Sequence, residues 1–326
     1  DVARDGPRRG MSAPPLGYLT SAGERAAAIV PLTWFVLAVS VIVCMVVAVL
    51  LLAAIVHPRG RALPTAIVAG DDHGLAWIKW GLVLSALPLI VTLVWTMAAL
   101  GRVAGPPRSP ALVLDVTPRQ YWWEVRYDAR DPADRFVTAN EIHIATGARV
   151  LVRLHGGDVI HSFWVPQLSG KTDAIPGQTN LTWLAADVPG RYRGQCAEFC
   201  GLEHAKMAFE VVAEPPAAFE RWRRAQLQTA PPPSSDAAQR GARIFQSHCA
   251  SCHAVRGARA AGSTAPDLTH LMSRRLIAAG TLPNTRGSLA GWVRAPQASK
   301  PGALMPDQQL TGQQLGDMLT YLVTLK

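Results

Sequence analysis

The stretch RGQCAEFCGLEHAKMAF, residues 193–209, concentrates side chains that bind soft metals. Cys196 and Cys200 are four residues apart, His204 follows four residues later and Met207 three residues after that. Structural zinc favours C-x-x-C knuckles and has little use for a thioether, whereas thiolates with imidazole and methionine are typical copper ligands. One blue-copper ion needs a single cysteine, so the second thiolate predicts two copper ions bridged by both sulfurs.

Each copper ion then requires an imidazole of its own, and His204 supplies one of the two. The second imidazole must come from another part of the chain. His143 and His155 fall in or beside predicted strands, whereas His161 ends a predicted strand and is followed by a rigid loop. The residues alone leave the choice among these three histidines open.

A second motif, CASCH at residues 249–253, is the C-x-x-C-H pattern of covalent haem attachment. In that pattern Cys249 and Cys252 bond to the two vinyl groups of one haem, and His253 supplies the proximal imidazole. The alternatives are small-loop disulfides and a thioredoxin-type redox pair. Neither has a use for the histidine, and a redox pair would follow a strand rather than the helix that is predicted just before Cys249.

Three methionines compete for the second axial position of the haem iron. Met318 lies on the apolar face of the last predicted helix and is expected in the core. Met272 is 19 residues after His253, so the chain would have to turn back quickly. Met305 lies 52 residues after His253 in the proline-flanked loop KPGALMP, which has room to wrap the haem edge. Met305 is therefore the predicted axial ligand, and a thioether there favours electron transfer over oxygen binding.

Two long apolar segments indicate a membrane anchor in a chain that is 49% hydrophobic. Val30 to Val56 runs 27 residues without a charge, and Leu75 to Leu100 carries only Lys79. A helix needs about 20 residues to cross a bilayer core, so both segments are long enough. The first is too long for a signal-peptide core and has no small-residue cleavage site after it, which predicts a retained transmembrane hairpin.

The composition changes after the hairpin. Polar and apolar residues alternate in ALVLDV, YWWEVRY, ARVLVRL and AFEVVAE, which is typical of an antiparallel sandwich or barrel. PPPSS indicates a stiff linker, and the rest of the chain is helical in pattern. The predicted divisions are an N-terminal segment at 1–29, a hairpin at 30–100, a β domain at 110–230, a linker at 231–235 and a helical domain at 236–326.

The net charge of +9 is concentrated in the last domain, where residues 234–326 include ten basic and four acidic side chains. No basic helix with interleaved aromatic residues accompanies them, so nucleic acid is not an expected partner. The basic residues predict either a positive rim around the haem edge, which would dock an acidic donor, or a solvated face against anionic lipid. They are Arg240, Arg243, Arg256, Arg259, Arg274, Arg275 and Lys300.

Several motifs together resemble subunit II of cytochrome c oxidase. The matching segments are DVIHSFWVPQL, KTDAIPGQTN and GQCAEFCGLEHAKM, preceded by a two-helix anchor as in that family. APDLTH and KPGALMP resemble the corresponding parts of a class I cytochrome c. From about residue 30 onward the chain resembles the caa-type version, in which cytochrome c is fused to the subunit. The implied fold is a transmembrane hairpin, an all-β cupredoxin-like Greek-key barrel and an all-α class I cytochrome c domain.

The resemblance also implies a full ligand set for a dinuclear copper A centre. Its side-chain ligands would be His161, Cys196, Cys200, His204 and Met207, and Glu198 would add its backbone carbonyl. The Glu198 carboxylate would face subunit I, where the family has a non-redox magnesium ion.

One departure from the family concerns the aromatic residues that receive and relay electrons. The family's aromatic run opens with tryptophan after a glutamine, and that tryptophan is the usual receiving residue. In QYWWEVRY the position is occupied by Tyr121, followed by Trp122 and Trp123. These three residues are the predicted relay, with the receiving role assigned to Tyr121 or Trp122.

The implied function is that of an oxidoreductase subunit through which electrons enter a proton-pumping oxidase. Electrons would pass from a donor to haem c, to copper A and on to subunit I, where oxygen is reduced to water. No residue of this chain would carry out the oxygen chemistry. The implied partners are subunits I and III, membrane lipid, and a donor such as cytochrome c or the cytochrome bc complex.

The implied location is a bacterial inner membrane, with both termini and both cofactor domains on the periplasmic side. Arg59 and Arg61 in the hairpin loop are outnumbered by basic residues at the other helix ends, so the positive-inside rule would place the loop outside. Haem attachment and copper loading in this family are periplasmic, and we base the predicted orientation on the cofactors.

Two other functions compete with this one. A copper A subunit of a nitric or nitrous oxide reductase is disfavoured by the hairpin before the copper motif and the haem motif after it. A membrane-anchored copper-binding protein would need exchangeable ligands, which a bridged six-ligand set does not provide. Quinol oxidase subunits lack this ligand set.

Overall fold

The computed structural model describes residues 16–57 and 72–326, with side chains from residue 75 onward in the second range. Arg59 and Arg61 lie outside the described residues, so the charge bias of the hairpin stays a prediction. The chain divides into two compact units. One comprises Ala27–Gly105, and the other joins the residues up to Ala26 with Pro106–Lys326.

Two long helices build the smaller unit, α1 over Glu24–Val56 and α2 over Asp72–Val103. Their most apolar windows have mean hydropathies of 3.3 and 2.2, so both helices are long and apolar enough to cross a membrane. The rings of Phe35 and Trp95 lie 5.4 Å apart and join the two helices. Most of their large apolar side chains are exposed, as expected of a surface that lipid covers.

Ten strands in two five-stranded sheets build the barrel of the larger unit. They are β1 Leu112–Arg119, β2 Trp122–Asp128, β3 Phe136–Ala139, β4 Glu141–Ala145, β5 Val150–His155, β6 His161–Trp164, β7 Thr172–Ala174, β8 Thr179–Leu184, β9 Gly190–Cys196 and β10 Ala208–Glu214. The sheet orders are β3-β2-β1-β5-β8 and β4-β10-β9-β6-β7. Neighbours are antiparallel except for two parallel pairs, β1 with β5 and β4 with β10. The predicted cupredoxin-like Greek-key fold is confirmed.

The alternation in the sequence places one face of each strand in the core. In β1, Leu114 and Val116 are fully buried, while Asp115 between them is only partly buried. Three aromatic rings fill the space between the sheets below the cysteine-rich stretch. The Trp123 ring lies 5.7 Å from Phe163 and 5.0 Å from Phe209, measured between centroids. The metal-binding stretch therefore lies on a rigid, apolar layer of packed rings.

A helix, α3 over Pro216–Gln226, follows the last barrel strand within the segment predicted to be all-β. It packs Phe219 and Trp222 against the barrel core, and the Trp222 ring stacks on His143 with centroids 4.0 Å apart. The rest of the helix is mostly polar and exposed. Phe219 and Trp222 are the only large apolar side chains of this helix, so little apolar sequence marks it.

We refer to residues 236–326 as the helical module. Its helices are α4 Asp236–His248, α5 Arg286–Arg294, α6 Pro296–Ser299 and α7 Gly312–Leu322. Two short hairpins supplement them, β11 Ala254–Val255 with β12 Ala260–Ala261, and β13 Leu276–Ile277 with β14 Leu282–Pro283. Met318 is fully buried in the core of this module, as its helical position predicts.

The crossing of α4 and α7 depends on a glycine. A Cβ built on Gly241 would lie 2.1 Å from the Asp317 carbonyl oxygen of α7, so the two backbones approach too closely for any side chain at this position. The contact is reinforced by Arg240, which donates to both carboxylate oxygens of Asp317 at 2.8 and 2.9 Å. Gly241 therefore sets the distance between the two helices.

We expect Gly241→Ala to destabilise the helical module by roughly 1–3 kcal/mol, because the added methyl group forces the helices apart. The measurement is thermal unfolding of the full chain, followed by its haem absorption. Gly316→Ala in α7 is the matched control, since no described atom lies within 4 Å of a Cβ built there. The control should be neutral or stabilised by about 0.5–1 kcal/mol. Equal melting temperatures for the two variants would contradict the close-packing argument.

The helical module packs on the barrel through the turn between β13 and β14 and through the end of α6. The Ala208 N–H donates to the Ala279 carbonyl at 3.1 Å, and the Lys206 ammonium donates to the Ser299 carbonyl at 2.9 Å. Arg275 adds an ion pair to the buried Glu210 of β10. The module thus rests on the barrel immediately beside the cysteine-rich stretch.

Candidate copper and haem sites

The barrel holds the metal-binding loop at both of its ends. Cys196 is the last residue of β9, and Met207 immediately precedes β10. The Cys196 N–H donates to the Met207 carbonyl at 3.0 Å, and the Ala197 N–H donates to the Ser162 carbonyl at 3.0 Å. Because three strands anchor the loop in this way, its side chains are preorganised before any metal binds.

The two cysteine sulfurs lie at the centre of the predicted ligand set. Their Sγ atoms are 3.9 Å apart, and no disulfide joins them. The Cys196 sulfur is 3.8 Å from Nδ1 of His161 and 3.2 Å from the carbonyl oxygen of Glu198. The Cys200 sulfur is 3.7 Å from Nδ1 of His204 and 3.8 Å from the thioether of Met207. The four other predicted ligand atoms therefore surround the sulfur pair, which fits two soft metal ions sharing both thiolates.

The structure separates the three candidate histidines. His161 lies in a buried cluster with Cys196 and Cys200, whose possible ligand atoms are all within 4.8 Å of one another. His143 is hydrogen-bonded instead between Glu141 at 3.0 Å and Glu214 at 2.9 Å. His155 bonds Asp115 at 2.8 Å. Only His161 of the three faces the sulfurs.

Two further residues orient this set, and the sequence reasoning did not identify them. Asp158 accepts a hydrogen bond from Nε2 of His161 at 2.7 Å, which turns Nδ1 toward the Cys196 sulfur. The other carboxylate oxygen of Asp158 accepts the Gln120 N–H at 2.6 Å. The Gln120 side chain donates to the Cys200 carbonyl at 2.6 Å. A carboxylate three residues before a ligand histidine is a usable sequence signal, because such groups commonly fix imidazole orientation.

The two thiols differ in acidity. The hydrogen bond with Cys200 lowers the pKa of Cys196, and the bond with His161 acts in the same direction. The same contact with Cys196, together with burial, raises the pKa of Cys200. One thiolate is thus stabilised in the bare site, while the second proton must leave when metal binds.

Glu198 contributes two different groups. Its backbone carbonyl faces the Cys196 sulfur, while its carboxylate lies on the exposed side of the loop and accepts the Phe199 N–H at 3.1 Å. Phe199 itself is 75% exposed. The backbone and the side chain of Glu198 therefore serve opposite sides of the loop.

A cavity of about 390 Å³ lies in the helical module around the CASCH motif. Ligand cavities are commonly about 300–1,000 Å³ with mostly apolar walls, so this one suits a large, flat prosthetic group. Its lining includes Cys249, Cys252, His253, Leu289, Trp292, Met305 and Met318. The sequence motif and the cavity thus coincide.

The proximal histidine is held in one orientation. Nδ1 of His253 bonds the Pro266 carbonyl at 2.7 Å, which leaves Nε2 for an iron atom. Met305 lies in the cavity wall, and its carbonyl accepts the Gln297 side-chain N–H at 2.9 Å. Met318 also lines the cavity, from α7, whereas Met272 is not among its described lining residues. Met305 stays the predicted axial ligand, with Met318 as its competitor.

The three aromatic residues of the predicted relay face different surroundings. Tyr121 and Trp122 line the haem cavity, together with Gln120. Trp123 is fully buried in the barrel, where its ring lies 6.2 Å from His161 and its Nε1 donates to the Met207 carbonyl at 3.4 Å. Tyr121 and Trp122 are thus on the haem side, and Trp123 is on the copper side.

Four of the seven basic residues of the predicted positive rim bond to the barrel or to α3. Arg256 donates to the Gln226 carbonyl, and Lys300 donates to the Tyr121 carbonyl. Arg274 donates to the Thr138 hydroxyl. Arg275 donates to the Glu210 carboxylate. All four acceptors lie on the barrel or α3, so these charges fix the module in place and are not offered to a soluble partner. Arg240 pairs with Asp317, and Arg243 and Arg259 are exposed.

Two protein families match different parts of this chain. Residues 114–214 match the family "Cytochrome C oxidase subunit II, periplasmic domain", and residues 238–326 match the family "Cytochrome c". A subunit II periplasmic domain implies copper A, and a cytochrome c domain implies haem. The periplasmic domain of cytochrome oxidase subunit II from Bradyrhizobium japonicum is 28% identical, with a TM-score of 0.34, over 36% of this chain and 94% of that chain. At that score we draw no argument from the structural likeness.

Curated relatives extend the match beyond single domains. Cytochrome c oxidase subunit 2 of Alkalihalophilus pseudofirmus is 32% identical over 272 residues, which is 82% of this chain and 78% of the relative. The protein of the same name from Bacillus sp. strain PS3 is 34% identical over 66% of this chain and 62% of the relative. With its two apolar helices, its copper-type barrel and its haem module, the chain belongs to the cytochrome c oxidase subunit II family, in the caa-type form that carries a cytochrome c domain, and is thus part of an oxidoreductase complex.

Proposed function

We propose that this subunit takes electrons from a donor at a covalently attached haem c and passes them through the dinuclear copper site to subunit I. There, oxygen is reduced to water and protons are pumped. One observation carries the proposal: the wall of the haem cavity is partly built by Gln120, Tyr121 and Trp122 of the barrel. The same segment contacts the copper-binding loop, so one short stretch of chain touches both sites.

The contacts of this stretch define a short connection between the two sites. The Gln120 side chain donates to the Cys200 carbonyl at 2.6 Å. Gly201 follows Cys200 in the loop and lies against Tyr121. A Cβ built on Gly201 would be 2.5 Å from the Tyr121 hydroxyl oxygen. Gly201 has a φ of +124°, which glycine adopts without strain. A side chain there would push Tyr121 away from the loop.

When bound, the haem and the copper pair would each supply a one-electron carrier. The chain's own residues hold these carriers and exclude water from them. Cys249 and Cys252 would attach the haem covalently, with His253 and Met305 as axial ligands. His161, Cys196, Glu198, Cys200, His204 and Met207 would hold the copper ions. The Glu198 carboxylate, on the exposed side of the loop, is the proposed magnesium ligand at the boundary with subunit I.

The remaining partners follow from the same role. We propose contacts with subunits I and III, lipid around the hairpin, and a donor such as cytochrome c or the cytochrome bc complex. Both cofactor domains and both termini would be periplasmic. A metallochaperone role is disfavoured because both cysteines, His161 and Met207 are buried, which hinders metal release.

The test is rapid photoreduction of the haem in the full detergent-solubilised chain, with the haem and copper A absorption bands followed together. We expect the haem to be reoxidised as the copper band bleaches, at a rate that does not depend on protein concentration. Chain depleted of copper is the control and should keep its haem reduced on the same timescale. A rate proportional to protein concentration, or reoxidation without bleaching, would contradict the proposed route.

A further inference from the structure

Lys300 places a buried ammonium group between the two modules. Lys300 follows α6 and is 2% exposed. Its Nζ donates to the Tyr121 carbonyl at 2.7 Å and lies 3.4 Å from the Ala278 carbonyl. Lysine is rarely buried to this degree without an acidic partner. In the described part of the chain, both acceptors of this ammonium are carbonyl oxygens and neither is a carboxylate.

The position of this group relates it to the haem cavity. Lys300, Tyr121 and Ala278 all line that cavity. The turn that supplies the second carbonyl is unusual, since Ala278 and Ala279 have φ angles of 53° and 54°, a conformation that is costly for alanine. The hydrogen bond from Ala208 to Ala279 holds the turn against the barrel. The protein therefore maintains a strained turn at the place where it binds the ammonium.

A neighbouring lysine shows what distinguishes Lys300. Lys206 also donates its ammonium to a carbonyl across the same interface, that of Ser299. Its side chain is 42% exposed and pairs with Glu203 at 3.4 Å, so solvent and a counter-charge weaken its field. Lys300 has neither a solvent-exposed side chain nor a directly paired carboxylate. Its charge therefore acts over a longer range within the cavity wall.

We propose that Lys300 sets the reduction potential of the haem held in this cavity, because a buried positive charge in the wall favours the state that has gained an electron. The Tyr121 carbonyl fixes the position of that charge. Reduction potentials of metal centres depend on nearby charge and burial, and both are present here. The proposal rests on the proposed function for its biological meaning, but it concerns an equilibrium property of the haem alone.

The pKa of Lys300 is lowered to about 7, mainly by burial; Lys206 acts in the same direction, whereas Glu203 and Cys200 act in the opposite direction. The charge at Lys300 is therefore full below neutrality and is lost above it. Among the described residues, these three members of the metal-binding loop are the titratable groups that act on the ammonium.

The test is a dye-mediated redox titration of the haem in the full chain, below neutral pH, for the wild type and for Lys300→Gln and Lys300→Arg. Glutamine can still donate to the Tyr121 carbonyl but carries no charge. We expect its potential to fall by roughly 59 mV, a tenfold change in the one-electron equilibrium. Arginine should restore most of the shift, and Lys206→Gln, the matched control, should change the potential much less.

A wild-type potential in Lys300→Gln, or an equal shift in Lys206→Gln, would overturn the proposal. The wild type provides a second measurement that needs no substitution. As the pH rises through neutrality, the haem reduction potential of the wild type should fall by a similar amount. A haem reduction potential that does not change over this pH range would also contradict the proposal. None of these readings requires an electron to reach copper or oxygen, so failure here is distinguishable from failure of the proposed electron route.

Discussion

Cys196→Ser and Cys200→Ser are each expected to abolish the mixed-valence signal of the copper centre and to leave at most one bound copper ion. The reason is the position of the two sulfurs, 3.9 Å apart and jointly surrounded by all the other ligand atoms. A hydroxyl is a poor, hard ligand for copper, so the bridge between the two ions is lost when either sulfur is replaced. Electron paramagnetic resonance and the copper content of the purified chain are the measurements.

The control for these variants is the same chemical change at a third cysteine. Cys44 is exposed in α1, outside the barrel, and Cys44→Ser should keep both copper ions and the full signal. A wild-type resonance pattern in either Cys196→Ser or Cys200→Ser would show that the centre is not dinuclear. Loss of the signal in Cys44→Ser would point to a general folding defect.

Met305→Ala is expected to open the sixth coordination position of the haem iron. Loss of the thioether should lower the haem reduction potential by on the order of 0.1 V, within the roughly 0.8 V range that axial ligands cover. It should also let carbon monoxide bind the ferrous form, because the iron then has a free position. The carbon monoxide difference spectrum of the reduced full chain is the measurement.

Met318→Leu and Met272→Leu are the controls for the axial ligand. Met318 is fully buried and lines the same cavity, so leucine, which conserves its volume, tests ligation without opening a large void. Both controls should keep the wild-type spectrum. A carbon monoxide complex in Met318→Leu and none in Met305→Ala would assign the axial position to α7.

The residues that are close in sequence were the most predictable part of the two sites. Cys196, Cys200, His204 and Met207 fall within a dozen residues, so their chemistry is visible before any fold is known. The CASCH motif is local in the same sense. His161 lies 35 residues before the first cysteine, and only its family resemblance separated it from two other histidines. The spacing of residues within one motif does not show which strand ends from other parts of the chain lie next to it.

The packing of the helical module on the barrel was not predictable from the sequence. Arg275 and Lys300 looked like surface charges because basic residues usually are, yet their partners Glu210 and Tyr121 lie 65 and 179 residues away. The bond between Gln120 and Asp158 likewise joins residues that are 38 positions apart. Contacts between residues so far apart produce no repeating pattern in the sequence, so only the tertiary structure reveals them.

The packing of the helical module against Tyr121 and Trp122 also changes the kinetics expected of electron delivery. A mobile carrier would have to find that aromatic surface by diffusional encounter, whereas the tethered module stays beside it at high effective concentration. In the proposed route, the step into the barrel would be first-order and independent of how much free carrier is present. In the proposed route, an outside donor would collide with an exposed part of the cavity lining such as Leu304, which is 82% exposed. Dilution or competition should therefore slow only the outer step, and the inner one should keep its rate.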